Sequence, residues 1–274
     1  MMGTLERLEA LLGALPGGLL EVRVRAGRPV QYRCTDGDRF GERVSPERLR
    51  AILAALMDHS LYAREAELLQ GYFTMDDGCR VGVCGRLLCD GDRPTAMADI
   101  GALCVRVCRE IRGACDGFYG ALFDGNRLRS ALIVSGPGLG KTTALRDAAR
   151  RLSEEGYNVC IADERRELAA CALGVPTLNV GPRTDVMDGC LKHVAVMRLL
   201  RAASPQVIVT DEIGDRRDAE ALEEAARCGV RILASAHAGS MEQLVARRNV
   251  CLDVFDLAVL LGDAPGQVKA IHVL

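Results

Sequence analysis

A chain of 274 residues, 49% apolar and 26% charged, is long enough for one large or two modest globular domains, each with its own core. No stretch approaches the roughly 18 to 20 uninterrupted apolar residues of a membrane-spanning helix, and the opening MMGTLERLEALLGAL mixes acids and arginine with its leucines, unlike an export signal. These features predict a soluble, cytoplasmic protein without direct membrane insertion, and a formal net charge of −2 argues against a nucleic-acid partner.

In chain order, the opening segment reads as a short amphipathic helix. Leu19 to Cys34 alternates apolar and polar residues around Ala26-Gly27-Arg28-Pro29, the pattern of a hairpin. Ser45 before Pro46 supplies a cap and a first-turn proline for a helix through about Met57, and a second helix is expected near Leu61 to Gln70. Tyr72 to Cys89 reads as another hairpin, with turns at Asp77-Gly78 and Asp90-Gly91. Residues 1–116 are thus expected to form a small α+β domain, and residues 117–126, within a glycine-containing stretch, a linker. The twelve cysteines are expected to be thiols of a reducing compartment; Cys79, Cys84, Cys89, Cys104, Cys108 and Cys115 lack the paired spacing of a zinc site and read as small buried apolar residues.

Over residues 127–274 the pattern changes to apolar strands alternating with helices, which predicts an α/β domain with a parallel sheet covered on both faces. Strands are expected at Ser130–Ser135, Asn158–Asp163, Gln206–Asp211 and Arg231–Ala236. Helices are expected near Lys141–Glu155, Asp188–Ala202, Arg217–Cys228 and Met241–Asn249, and the end reads as two strands about Pro265-Gly266.

The strongest chemical signal is ALIVSGPGLGKTTALRDAAR, an apolar strand, a glycine-rich turn, then Lys-Thr-Thr opening a helix. Ser135, Gly136, Pro137, Gly138, Leu139, Gly140, Lys141, Thr142 and Thr143 form a phosphate cradle for ATP. Backbone N–H groups of Gly138 through Thr142 are expected to converge on the β-phosphate, with Lys141 reaching the β- and γ-oxygens, Thr142 holding Mg²⁺ and Thr143 approaching the α-phosphate. The strict pattern places a glycine where this chain has Ser135. A dinucleotide-binding turn, with Asp163 on the ribose, and a plain structural turn are the alternatives, but a lysine at the helix start marks a triphosphate site.

QVIVTDEIGD ends a strand in Asp211 and Glu212, suited to bind the magnesium through water and to deprotonate the attacking water. The alternative is a helix cap. His237 ends a further strand; if that strand lies beside the one ending at Asp211, the imidazole faces the γ-phosphate. Asp163 and Glu164 end another strand, where cap and catalytic auxiliary remain equal readings. Arg80, Arg86, Arg106, Arg183, Arg198 and Arg201 are all available as the cation that phosphoryl transfer draws on, often from a neighbouring subunit. Only three of the 35 basic residues are lysines, Lys141, Lys192 and Lys269.

EVRVRAGRPV, SLYAREAELLQGYFTMDDGCRVGVCGR, GKTTALRDAAR, ADERRELA, VGPRTDVMDGC and SPQVIVTDEIGD together resemble the stage III sporulation protein AA family of endospore-forming bacteria, over nearly the whole chain. That resemblance implies kinship with the ring ATPases of type II and type IV secretion and pilus assembly: a RecA-like P-loop ATPase core, a smaller α+β N-terminal domain, and a homo-oligomer, usually a hexamer. It implies that Asp163 and Glu164 match an acidic box, Asp211-Glu212 the second nucleotide motif and His237 a histidine box. Glu212, Lys141, Glu164 and His237 become the catalytic candidates, and Arg86, Arg106 and Arg183 the candidates to act in trans. The implied role is to energise a membrane-embedded channel complex between mother cell and forespore, docked on the cytoplasmic face of one of its membrane proteins. A non-hydrolysing nucleotide-dependent scaffold is the rival reading, and a nucleic-acid translocase a more distant one.

Overall fold

The computed structural model describes residues 3–57, 65–107, 110–171, 174–245, 251–264 and 266–274. The chain divides into two units, Met1–Arg109 and Glu110–Leu274.

In the first unit, α1 (Thr4–Leu12) precedes β1 (Leu19–Arg25) and β2 (Arg28–Cys34), which pair about the Ala26-Gly27 turn, where Gly27 takes a positive φ of 73°. A strand absent from the sequence reading follows, β3 (Gly37–Val44), almost wholly exposed at the sheet edge, with no buried alternation to announce it. Ser45 caps α2 (Pro46–Leu56), its Oγ accepting from the Arg48 N–H at 3.2 Å. The expected helix near Leu61–Gln70 is described only as α3 (Glu65–Leu69), residues 58–64 lying outside the described set. Then β4 (Tyr72–Thr74), β5 (Arg80–Asp90) and β6 (Arg93–Arg106) complete an antiparallel sheet ordered β3-β2-β1-β6-β5-β4. The Asp90-Gly91 turn thus opens a full strand that the sequence reading did not extend. Leu49, Ile52, Leu53 and Leu56 of α2 pack with Val22, Val24, Phe73, Val81 and Val105 of the sheet. Cys79 and Cys115 are buried as expected and Cys104 is half-buried, whereas Cys84 and Cys89 are exposed, because their part of the β5–β6 hairpin has left the core; Cys108 lies outside the described residues.

The stretch 117–126 is not a free linker. It belongs to the second unit as α4 (Asp116–Tyr119), a 3₁₀ turn (Gly120–Leu122) and the pair β7 (Phe123–Asp124) and β8 (Arg127–Leu128), and Phe118, Tyr119 and Leu122 are buried in that unit's core. Two large aromatics and a leucine bury too much apolar surface to be left solvated. The remaining elements are β9 (Ala131–Ser135), α5 (Lys141–Glu154), β10 (Val159–Asp163), β11 (Thr184–Asp188), α6 (Lys192–Ala202), β12 (Val207–Thr210), α7 (Arg216–Arg227), β13 (Arg231–His237), α8 (Met241–Val245), β14 (Leu257–Leu261) and β15 (Val268–Val273). The expected helix from Asp188 begins instead at Lys192, because Thr184–Asp188 is an edge strand with no fully buried residue. Residues 246–250 and Pro265 lie outside the described set, so the last turns expected for the Met241–Asn249 helix and half of the Pro265-Gly266 turn do too.

The seven-stranded sheet runs β11-β10-β12-β13-β9-β14-β15, with β15 alone antiparallel to its neighbour. Alternate residues of each strand face opposite layers: Ile133, Ile161, Val209 and Leu233 pack with Leu145, Ala148 and Leu152 of α5. Leu132, Ala162, Ile208 and Ile232 pack with Val196 and Leu199 of α6 and Leu222 and Ala225 of α7. Burial on both faces is why these strands read as unbroken apolar runs. The order sets β12, β13 and β9 side by side, so their carboxyl ends share one edge.

Candidate functional site

The glycine-rich turn leaves β9 and enters α5 at that edge. Gly138 and Gly140 adopt φ of 76° and 90°, a region that side-chain-bearing residues rarely enter, and Gly140 is the N-cap of α5. Ser135 makes no such demand, because it is the last, buried residue of β9 and has no positive φ. Its Oγ donates to the Gly136 carbonyl at 2.9 Å. The Gly266 N–H donates to the Leu139 carbonyl at 3.1 Å, tying the turn to the β14–β15 connection.

Lys141 is buried and folds back into its own turn, donating to the carbonyls of Ser135 at 3.1 Å and Gly136 at 2.8 Å. Its Nζ also lies 3.1 Å from His237 Nδ1. Register between β13 and β9 sets His237 opposite Ser135, whose carbonyl Lys141 also holds. Burial pulls the Lys141 ammonium below the usual lysine range, and the nearby Glu212 carboxylate opposes that shift. The other imidazole nitrogen of His237 lies 3.2 Å from Glu212 Oε2, and Arg165 Nη1 is 3.8 Å from the same oxygen.

Asp211 and Glu212 follow β12. Asp211 is buried; desolvation pushes its carboxyl up to about 6, against the pull of Lys192 and with help from Asp163. Lys192 Nζ sits 3.2 Å from Asp211 Oδ1, with both side chains nearly inaccessible, and also donates to the main-chain carbonyl of Glu212. In the sequence Lys192 stands out only as one of three lysines, and the structure places it at the first position of α6.

The two acids after β10 part company. Asp163 is wholly buried and accepts from the N–H groups of Glu167, Leu168 and Ala169, with distances of 2.8 to 3.1 Å. Burial raises its carboxyl and those donors oppose the rise. Asp163 therefore performs the capping role, its carboxylate accepting from the loop that follows it. Glu164 is partly exposed and accepts from the Lys192 N–H at 3.4 Å.

Arg183 lies just before β11, at the amino end of the sheet, opposite the edge that carries Lys141, and its Nη1 donates to the Gly156 carbonyl at 3.4 Å. In the first unit Arg86 pairs with Asp99 at 2.8 Å and Arg106 reaches Glu21 at 3.6 Å, both arginines exposed. Thr142 and Thr143, half-buried on the first turn of α5, follow Lys141.

This architecture, a RecA-like α/β core preceded in the chain by a small α+β unit, is a fold shared with solved ATPases. The ATPase DotB of Legionella pneumophila superposes with a TM-score of 0.63 over 94% of this chain and 74% of its own, at 16% identity, a likeness of fold. The type IV pilus assembly ATPase PilB of Acinetobacter baylyi is 28% identical over 135 residues, 48% of this chain and 22% of PilB. A family model described as "Sporulation stage III, protein AA" matches residues 11–273. Stage III sporulation protein AA of Bacillus subtilis (strain 168) is 37% identical over 238 residues, 83% of this chain and 76% of its own length. The chain belongs to the sporulation stage III, protein AA family.

Proposed function

We propose that the chain hydrolyses ATP, and that it works as a ring motor of the secretion-ATPase type. The observation that carries this reading is His237 joining the lysine of the phosphate turn to the acid of β12, with Lys141 at one ring nitrogen and Glu212 at the other. The N–H groups of Gly138 to Thr142 and the start of α5 would cradle the phosphates. Lys141 would exchange the Ser135 and Gly136 carbonyls for β- and γ-oxygens, taking a stronger, charged acceptor. Glu212 would orient water and accept its proton, while His237 registers the γ-phosphate through Lys141 and Glu212.

The Thr142 hydroxyl and the Asp211 carboxylate would hold magnesium, a pair of hard oxygen donors that suits it. When bound, the ion neutralises charge on the phosphate oxygens. Glu164 would support this acidic edge, and Arg86, Arg106 or Arg183 would act on a neighbouring subunit's nucleotide. In this reading the ring is a homohexamer in the mother-cell cytoplasm, docked on a membrane protein of the sporulation channel complex and energising it. Among the described residues no helix is long and apolar enough to cross a membrane.

The test is steady-state phosphate release by the purified chain with ATP and magnesium. Hydrolysis that Glu212→Gln lowers by about 10²- to 10⁴-fold, with nucleotide binding retained, is the expected result. Binding without hydrolysis would favour the scaffold, and stimulation by added DNA or RNA the translocase.

A further inference from the structure

Lys192 is a lysine that helix formation does not explain. As the first residue of α6 it places a cation at the positive end of the helix, and it is only 4% exposed, a degree of burial that lysine tolerates when paired. Nor does stability account for it, because a buried ion pair gains little over a well-packed apolar pair of the same volume. What sets Lys192 apart is the pair of groups its ammonium holds: Asp211 Oδ1 at 3.2 Å and the main-chain carbonyl of Glu212. On the other side of the same segment, the Ile213 N–H donates to the Ser235 carbonyl of β13 at 2.9 Å. The Glu212 backbone is thus gripped from α6 and from β13, and its side chain is left to reach His237 Nε2 at 3.2 Å. The Lys192 N–H meets Glu164 Oε2 at 3.4 Å, so one residue touches the acids that follow both β10 and β12.

We propose that Lys192 is a positioning residue for the hydrolytic step, its ammonium fixing the Asp211 carboxylate and the Glu212 main chain so that the Glu212 carboxylate stays aimed at the His237 edge. This rests on the ATPase reading above. Lys192 meets the acidic edge through Asp211 and Glu212, whereas Lys141 meets the phosphate turn, so the two lysines divide turnover from binding. A group that only orients the water-activating acid changes kcat and leaves nucleotide affinity alone. A merely structural ion pair would change both together, through loss of folded protein.

The experiment compares the wild-type chain with Lys192→Arg, Lys192→Gln and Lys192→Met in phosphate release and in binding of a fluorescent ATP analogue. Lys192→Met is expected to lower kcat at least tenfold while the dissociation constant measured without magnesium, and so apart from Asp211, stays within threefold, Lys192→Arg to recover most of the loss in kcat, and Lys192→Gln to fall between. If Lys192→Met does not fold, Arg and Gln, which keep a donor at the end of an extended side chain, carry the comparison. Turnover within twofold of wild type in the Gln and Met variants overturns the proposal alone, as does a parallel fall of binding and turnover that Arg does not relieve. A wild-type chain that binds nucleotide but never releases phosphate removes the hydrolysis reading and this proposal together.

Discussion

The ammonium of Lys141 stands 3.1 Å from Nδ1 of His237. Nδ1 also lies 3.3 Å from the Ser135 carbonyl, and the other ring nitrogen, Nε2, faces Glu212 Oε2 at 3.2 Å. The lysine of the glycine-rich turn and the acid of β12 are therefore linked through one imidazole, and in the proposed reaction phosphate would compete with the turn's own carbonyls for Lys141.

That competition defines the first expectation. Lys141→Ala removes a buried, charge-assisted donor worth about 1.5–3 kcal/mol, so nucleotide affinity should fall roughly 10- to 100-fold. Titration of a fluorescent nucleotide analogue measures it. Affinity unchanged in this variant would dissociate the turn from phosphate binding.

Ser135 is the chain's departure from the strict glycine pattern, and its geometry shows why serine is accepted there. It lies in a strand, paired with His237, and its hydroxyl spans to the Gly136 carbonyl. Ser135→Gly is expected to keep nucleotide affinity within about threefold and to cost about 1 kcal/mol of stability, from glycine in a strand and one lost hydrogen bond. A large gain in turnover in the glycine variant would mean that serine restrains the turn.

The turn and the β12 acids were legible because their pattern is local: a buried apolar run, then glycines or acids at fixed spacing. The neighbours β12, β13 and β9 were not, since strand order is set by packing over the whole sheet, and His237 could be placed at the edge only conditionally. β3 and β11 lacked a buried face and so carried no alternation, and Phe118 and Leu122 sat among glycines that read as a linker. Lys192 was visible as a letter but not as a partner of Asp211, because nothing local joins residues separated by α6 and β12.

Asp163 separates the structural acid from the catalytic candidates. The loop it caps holds two side-chain-bearing residues at positive φ, Arg166 at 56° and Ala170 at 50°, and Arg146 of α5 clamps it by donating to the carbonyls of Glu167 and Leu168. Asp163→Ala would leave buried N–H groups of Leu168 and Ala169 without their acceptor, at a cost of about 2–4 kcal/mol. Thermal unfolding should show a drop of several degrees. A variant with unchanged melting and abolished hydrolysis would instead restore Asp163 to the chemistry.

Asp77 gives the first unit a pH signature. Its carboxylate, in the β4–β5 turn, accepts from the Thr4 N–H at 2.6 Å, the Thr4 hydroxyl at 2.7 Å and the Cys79 N–H at 3.2 Å, fastening α1 to the sheet. Burial works to raise its pKa, and the hydrogen bonds from Thr4 and Cys79 outweigh burial and leave it below the ordinary carboxylate range. A carboxyl depressed in the folded state contributes stability that is complete above its unfolded value of 3.8 and is lost as pH falls through the folded value. Asp77→Asn is therefore expected to lower stability at pH 7 by about 1–2 kcal/mol and to flatten the decline of stability below about pH 4, measured by urea unfolding of the full chain from pH 3 to 7. Equal acid sensitivity in the variant and the wild type would place the titrating group elsewhere.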